Sequence, residues 1–233
     1  KRDRRGKRSL DAKQDFSRGS MAGNILRMAI PMTIAQMVNV LYSVVDRFFI
    51  GHIDGASSMA LTGVGIVFPI ISVITAFTNL FGIGGAQPVL GYNYGAGEYR
   101  RVKQGILFMT AVCLVYMLAA WGLVFAFPHE LMGLFTDNQE LVETGAGMLH
   151  IYFFGFCFMA FQMSGQATFT GLGKAKFAIF FSLFRKVTLV LPLIFILPNF
   201  LGVDGGLWSE PISNLVGGGA CFLVMMLTLW RKL

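Results

Sequence analysis

Six runs of about 20 apolar residues, near 28–50, 59–85, 105–127, 145–169, 177–198 and 205–229, constrain this chain more than any other feature. A helix rises 1.5 Å per residue, so each run is long enough to cross a hydrocarbon core about 30 Å thick. Inside lipid the backbone has to satisfy its own polar groups, which a helix does. The expected fold is therefore an all-α integral membrane bundle of six transmembrane helices. Composition agrees: 55% of residues are hydrophobic and 13% charged, against about 25% charged in soluble domains. The 28 Gly and 23 Phe suit helices that pack in lipid through small residues.

The net charge of +7 does not indicate nucleic acid once its distribution is read. Lys1, Arg2, Arg4, Arg5, Lys7, Arg8, Lys13 and Arg18 make residues 1–23 a basic arm. Residues 24–233 form the transmembrane unit. Arg100, Arg101 and Lys103 follow the second run, Lys174 and Lys176 the fourth, Arg231 and Lys232 the sixth. The alternate loops carry His52 and Asp54, then Glu130, Asp137, Glu140 and Glu143, then Asp204. By the positive-inside rule both termini are expected in the cytoplasm, with the basic ends against anionic lipid. The first run is too long for a signal-peptide core and is expected to stay as an anchor. The chain opens on Lys1 rather than Met, which fits a fragment or a start at Met21.

Within Ile25–His52, Gln36, Asn39, Ser43 and Asp46 recur at three, four and three. Residues so spaced share one helix face, and a polar face in a membrane turns to protein or to a water-filled cavity. Ser72, Thr75 and Asn79 repeat the spacing in the second run, where hydroxyls can bond back to carbonyls and Pro69 predicts a kink. Gly82, Gly84 and Gly85 mark a close helix contact or a helix end. Residues 87–105, QPVLGYNYGAGEYRRVKQG, read as a cytoplasmic connector with Tyr92, Tyr94 and Tyr99 at headgroup level. Leu131, Leu134 and Phe135 share the face of a short amphipathic surface helix.

In the fourth run Gln162 and Gln166 stand one turn apart, suited either to joining helices or to lining a substrate path. Arg185 and Lys186, two turns into the fifth, are expected to snorkel to the cytoplasmic surface. Glu210 precedes Pro211, which predicts local irregularity, and Asn214 follows a turn later. Cys113, Cys157 and Cys221 lie in apolar runs without metal-type spacing and read as packing residues. No acid–base pair at catalytic spacing, nucleophile elbow, zinc cluster or nucleotide loop occurs, so an enzyme is not expected. No cofactor is expected beyond a coupling ion.

The run IPMTIAQMVNVLYSVVDRFFIGHIDGASSMALTGVGIVFPI resembles the first two helices of bacterial multidrug and toxic compound extrusion (MATE) transporters. QPVLGYNYGAGEYRRVKQG, FQMSGQATFTGLGKAK and LGVDGGLWSEPISNLV are similar to segments of that family's second half. The resemblance implies one MATE-like lobe of the family's two, a half-length or internally deleted member joined near Ala86–Gln87. It implies export of amphipathic cationic drugs in exchange for Na⁺ or H⁺ across a bacterial cytoplasmic membrane. A homodimer or a complementary half would complete two lobes. The family's VD acid corresponds to Asp46, which becomes the expected proton or Na⁺ site. On the residues alone, Asp46 equally suits an interfacial carboxylate pairing with Arg47. Its partners in this chain would be Gln162, Gln166, Glu210 or Asn214. A transport-inactive membrane fragment is the alternative, and a flippase for lipid-linked substrates a weaker one.

Overall fold

A computed structural model describes residues 58–233 continuously and, before them, Ser20, Ile30, Thr33, Met37, Leu41 and Val44. The last five are helical and exposed. The expected polar stripe of Gln36, Asn39, Ser43 and Asp46, with most of the first span, lies outside the described residues.

Among the described residues, helices Val67–Gly95, Tyr99–Ala126, Ala175–Leu201 and Asp204–Trp230 are long and apolar enough to cross a membrane. The pair Gln139–Phe153 and Phe156–Gly171, bent by 43°, is long and apolar enough for a fifth when the two are taken together. The chain is an all-α membrane protein.

The first of these spans joins α1 (Ser58–Asn79) to α2 (Gln87–Gly95) through a π-helical turn, Leu80–Ala86. Two expectations are corrected here. The helix does not stop near residue 85, and residues 87–95 are helix rather than connector. The reason lies at Pro88. Proline has no N–H, and the preceding π turn, closed by Gln87 N–H to the Gly82 carbonyl, carries the chain through without a break. The true connection is three residues, Ala96–Glu98, turned by Gly97 at φ 79°. Pro69 sits inside α1 without ending it. Ser72 and Thr75 donate to the carbonyls of Phe68 and Ile71, both at 2.9 Å, so their polarity is satisfied locally.

Helix α3 is Tyr99–Ala126 and the short α4 is Pro128–Gly133. On α4 it is Met132 that is buried, while Leu134 and Phe135 remain exposed. The fourth run is two helices, α5 (Gln139–Phe153) and α6 (Met159–Gly171), broken at Gly155. A Cβ at Gly155 would sit 2.6 Å from the Pro211 carbonyl oxygen, so the bend is where another backbone presses in. Helix α6 ends in a Schellman motif: Lys174 N–H reaches the Phe169 carbonyl and Gly173, at φ 73°, reaches that of Thr170.

The fifth run is α7 (Ala175–Leu183), a π turn (Phe184–Val190), α8 (Leu191–Ile196) and α9 (Pro198–Leu201). The last is α10 (Val203–Ser213), a π turn (Asn214–Gly218), α11 (Gly219–Met225) and a final π turn, Met226–Trp230. Helix α6 is central, touching α2, α3, α7 and α11. Gly91 on α2 and Gly171 on α6 let those backbones meet, and Gly165 makes room for Cys221. Around this axis Met117, Phe153, Phe156, Phe169, Cys221 and Met225 form the core. Cys113 and Cys221 are buried as expected of packing residues.

Candidate functional site: a buried ion cluster between the last two helices

Charge inside an apolar helix demands a partner, because lipid offers none. Arg185 and Lys186 find theirs on the next helix. Arg185 Nη1 donates to Glu210 Oε2 at 3.1 Å and to Asn214 Oδ1 at 2.6 Å. Lys186 Nζ donates to Glu210 Oε1 at 2.7 Å. Each carboxylate oxygen of Glu210 thus faces one cation. The three charged side chains are 7–13% exposed, so the pairs are shielded from water rather than screened by it.

This overturns the expectation that Arg185 and Lys186 snorkel to the surface. Snorkelling lets a long side chain reach water when nothing nearer will take the charge. Here an acid on the adjacent helix takes it.

Local structure sets the geometry. Arg185 and Lys186 lie in one π turn, and Asn214 opens another. The turns of the two helices pack together. Gly217 supplies the room: a Cβ there would meet Arg185 Cγ at 2.9 Å and Cβ at 3.2 Å. Gly205 closes the hairpin above, with no space for a Cβ against the Leu197 carbonyl. Pro211 lies in the helix between Glu210 and Asn214, and the irregularity expected at Glu210 falls one turn later, as the π turn. A single guanidinium nitrogen, Nη1, reaches both the carboxylate of Glu210 and the amide of Asn214, so the two contacts share one amino group.

The remaining polar residues of the span interiors divide. Gln166 Nε2 donates to the Ala178 carbonyl at 3.4 Å, tying α6 to α7, so the helix-joining reading describes it. Gln162 is 2% exposed and its backbone carbonyl accepts from Cys221 Sγ at 3.9 Å. Its Oε1 has no hydrogen-bond partner, and Ser164 on the same helix faces the Cys113 thiol. The π turn Asn214–Gly218 lies between them and the cluster: Gly218 abuts Phe158 and Gln162 while Gly217 abuts Arg185. Gln162 therefore belongs to the other side of the last helix.

Sequence reasoning named Glu210 and Asn214 but missed Arg185, Lys186 and Gly217 as members of the site. The signal was present. Two cations in one span and one acid in the next, each costly alone in lipid, point to each other. Asp46, Gln36, Asn39 and Ser43 are not among the described residues.

A family model described as MatE matches residues 31–196, more than half of the chain. The chain is similar to the multidrug export protein MepA of Staphylococcus aureus (strain MSSA476), with 26% identity over 217 residues. That match covers 89% of this chain and 45% of the relative. Among solved structures, a point mutant of a MATE transporter aligns with a TM-score of 0.79 at 21% identity, over 93% of this chain and 47% of that one. The MATE multidrug transporter DinF-BH, in complex with R6G, aligns with a TM-score of 0.70 at 25% identity, over 91% and 46%. The chain spans about half the length of the curated relatives it matches.

Proposed function

This chain belongs to the MatE family, and on that premise we propose that it is one six-helix lobe of a cation-coupled exporter of amphipathic cationic drugs. The single observation that carries the proposal is the MatE match across residues 31–196. MepA being a multidrug export protein, and DinF-BH having been solved with R6G, support the substrate class. The membrane is a bacterial cell membrane, with both termini on the cytoplasmic side by the distribution of Lys and Arg.

Alternating access needs two bundles that rock about a shared site. One lobe supplies one bundle. A parallel homodimer, or a complementary half, supplies the second about a two-fold axis along the membrane normal. Asp46 takes up Na⁺ or a proton from outside, and the stripe Gln36, Asn39 and Ser43 responds by releasing drug. The pairing of Arg185, Lys186, Glu210 and Asn214 stiffens the closing helix pair against which that rearrangement occurs.

The test is exchange in proteoliposomes. Asp46→Asn abolishes R6G efflux driven by an inward Na⁺ or proton gradient while the protein still inserts. Efflux at the wild-type rate from that variant removes Asp46 from the mechanism. A transport-inactive membrane module is the second reading, favoured by coverage of only 45% of MepA. It predicts no gradient-driven R6G movement from wild type at any protein-to-lipid ratio.

A further inference from the structure

We infer that the groove between α2 and α3 binds an anionic phospholipid, with an acyl chain in the groove and the headgroup phosphate at Arg101. The groove encloses about 270 Å³. Phe81, Gly85 and Val89 form one wall and Gly105, Phe108 and Val112 the other. The first row steps by four and four and the second by three and four, so each is a single helix face. The opening exists because side chains are missing from it. Gly85 has no side chain to fill the slot, and Gly105 lets the Leu90 side chain come within 2.9 Å of where a Cβ would stand. An apolar cavity of this kind stays dry and accepts hydrocarbon.

Its surface end differs in chemistry. Continuing the rows outward, Tyr92 stands three residues beyond Val89 and Arg101 four before Gly105. Both are exposed, Tyr92 at 79%. The tight turn Ala96–Glu98 holds them at the same end of the two helices. Lys103 lies 5.3 Å from the Trp230 ring, and of the exposed pair Arg100 and Arg101 it is Arg101, four residues before Gly105, that continues the groove's row. From Arg101 to Val112 is 11 residues, or about 16 Å of helix. That is close to half of a hydrocarbon core about 30 Å thick, the depth of one leaflet. An apolar slot one leaflet deep, with a guanidinium and a phenol at its mouth, matches an acyl chain under a phosphate.

Native mass spectrometry of the full chain, released from mixed micelles of phosphatidylglycerol and phosphatidylcholine with identical acyl chains, tests this. Wild type retains phosphatidylglycerol over phosphatidylcholine by about fivefold, the effect of one basic residue near a membrane surface. Arg101→Ala brings the ratio to about one, while Arg231→Ala, at the membrane end marked by Trp230, leaves it unchanged. Val89→Trp, at a site already 57% exposed, fills the slot and lowers retention of both lipids. Equal retention by wild type overturns the inference, as does equal loss from Arg101→Ala and Arg231→Ala. Displacement by water-soluble glycerol phosphate also overturns it, since the headgroup alone would then suffice.

Discussion

Arg185 and Asn214, 29 residues apart, meet at 2.6 Å between the last two helices. The same Arg185 nitrogen holds Glu210 at 3.1 Å. This contact fixes the axial register of the last two helices, because a slide of one turn would separate every charge in the cluster. Apolar surfaces tolerate such a slide far better, since one leucine face resembles the next.

Removing one member of a buried ion pair costs about 3–5 kcal/mol, because the partner's charge stays behind. Glu210→Ala and Arg185→Ala are therefore each expected to lower stability by about that much. Their double-mutant coupling should fall in the range of about 0.5–3 kcal/mol that residues in contact show. Arg185→Lys is expected to be destabilising as well, because the lysine stem is shorter and lacks the rigid guanidinium that aims Nη1 at both Glu210 and Asn214. SDS-titration unfolding of the purified chain measures all of these. Strict additivity of the two alanine variants would show that the contact contributes nothing.

Gly91 and Gly171 carry the crossing of α2 over α6. A Cβ at Gly91 would stand 2.9 Å from the Gly171 carbonyl oxygen, and backbone yields less readily than a side-chain tip. Gly91→Ala is expected to cost about 1–3 kcal/mol by overpacking. Gly95→Ala, with nothing within 4 Å, should be neutral or slightly stabilising in the same helix. Thermal unfolding of the two variants side by side separates crowding from helix propensity. Equal losses from both would mean that α2 does not press on α6.

These two contacts show where the sequence was legible. Apolar length identified the spans from 105, 177 and 205 onward, because lipid imposes that length directly on composition. Helix ends were less legible. Residues 87–95 carry a proline, three glycines counted to Gly97, and two tyrosines, all loop signals, yet they continue a helix because a π turn absorbs Pro88. The break at Gly155 left no proline signal, since its cause is the distant Pro211 backbone. Of the site, Glu210 and Asn214 could be named from residue type alone. Their link to Arg185 and Lys186 depends on register between helices, which period within one helix does not encode.

Thiol chemistry gives a further check on the packing. Cys113 and Cys221 are buried, and Cys157 is half-buried near the bend. A maleimide added to the folded chain in mild detergent should modify Cys157 first, leaving the other two until SDS opens the bundle, because access limits thiolate attack. Intact-mass spectrometry counts the adducts. Early modification of Cys221 would contradict its contact with Gly165.

Asn138 accepts from the backbone N–H of Glu140 at 3.0 Å and of Leu141 at 3.4 Å, capping the start of α5. Asn138→Ala should cost about 1 kcal/mol, the usual worth of an N-cap. Asn138→Asp should recover most of that, since a carboxylate accepts the same bonds and suits the helix N-terminus. The cap is exposed, so the loss should be local. Amide exchange is expected to accelerate in the first turn of α5 and not in α6. Acceleration that spreads into α6 would mean that the two helices unfold as one unit across the bend at Gly155.

The proposed two-lobe arrangement makes a prediction about mass. One lobe of 25.6 kDa that must rock against a second is expected to run in mild detergent at twice that protein mass. Light scattering with detergent contrast separates protein from micelle and reads this directly. R6G efflux should then fall steeply on dilution into excess lipid, since the dimer population scales with the square of the free monomer concentration. Mixing wild type with Asp46→Asn gives the stoichiometry. If each dimer needs both carboxylates, activity falls as the square of the wild-type fraction; if one suffices, it falls more gently. A strictly monomeric species that still exports R6G would remove the need for a second lobe, and the closing helix pair with its Arg185–Glu210 cluster would have to be the moving part itself.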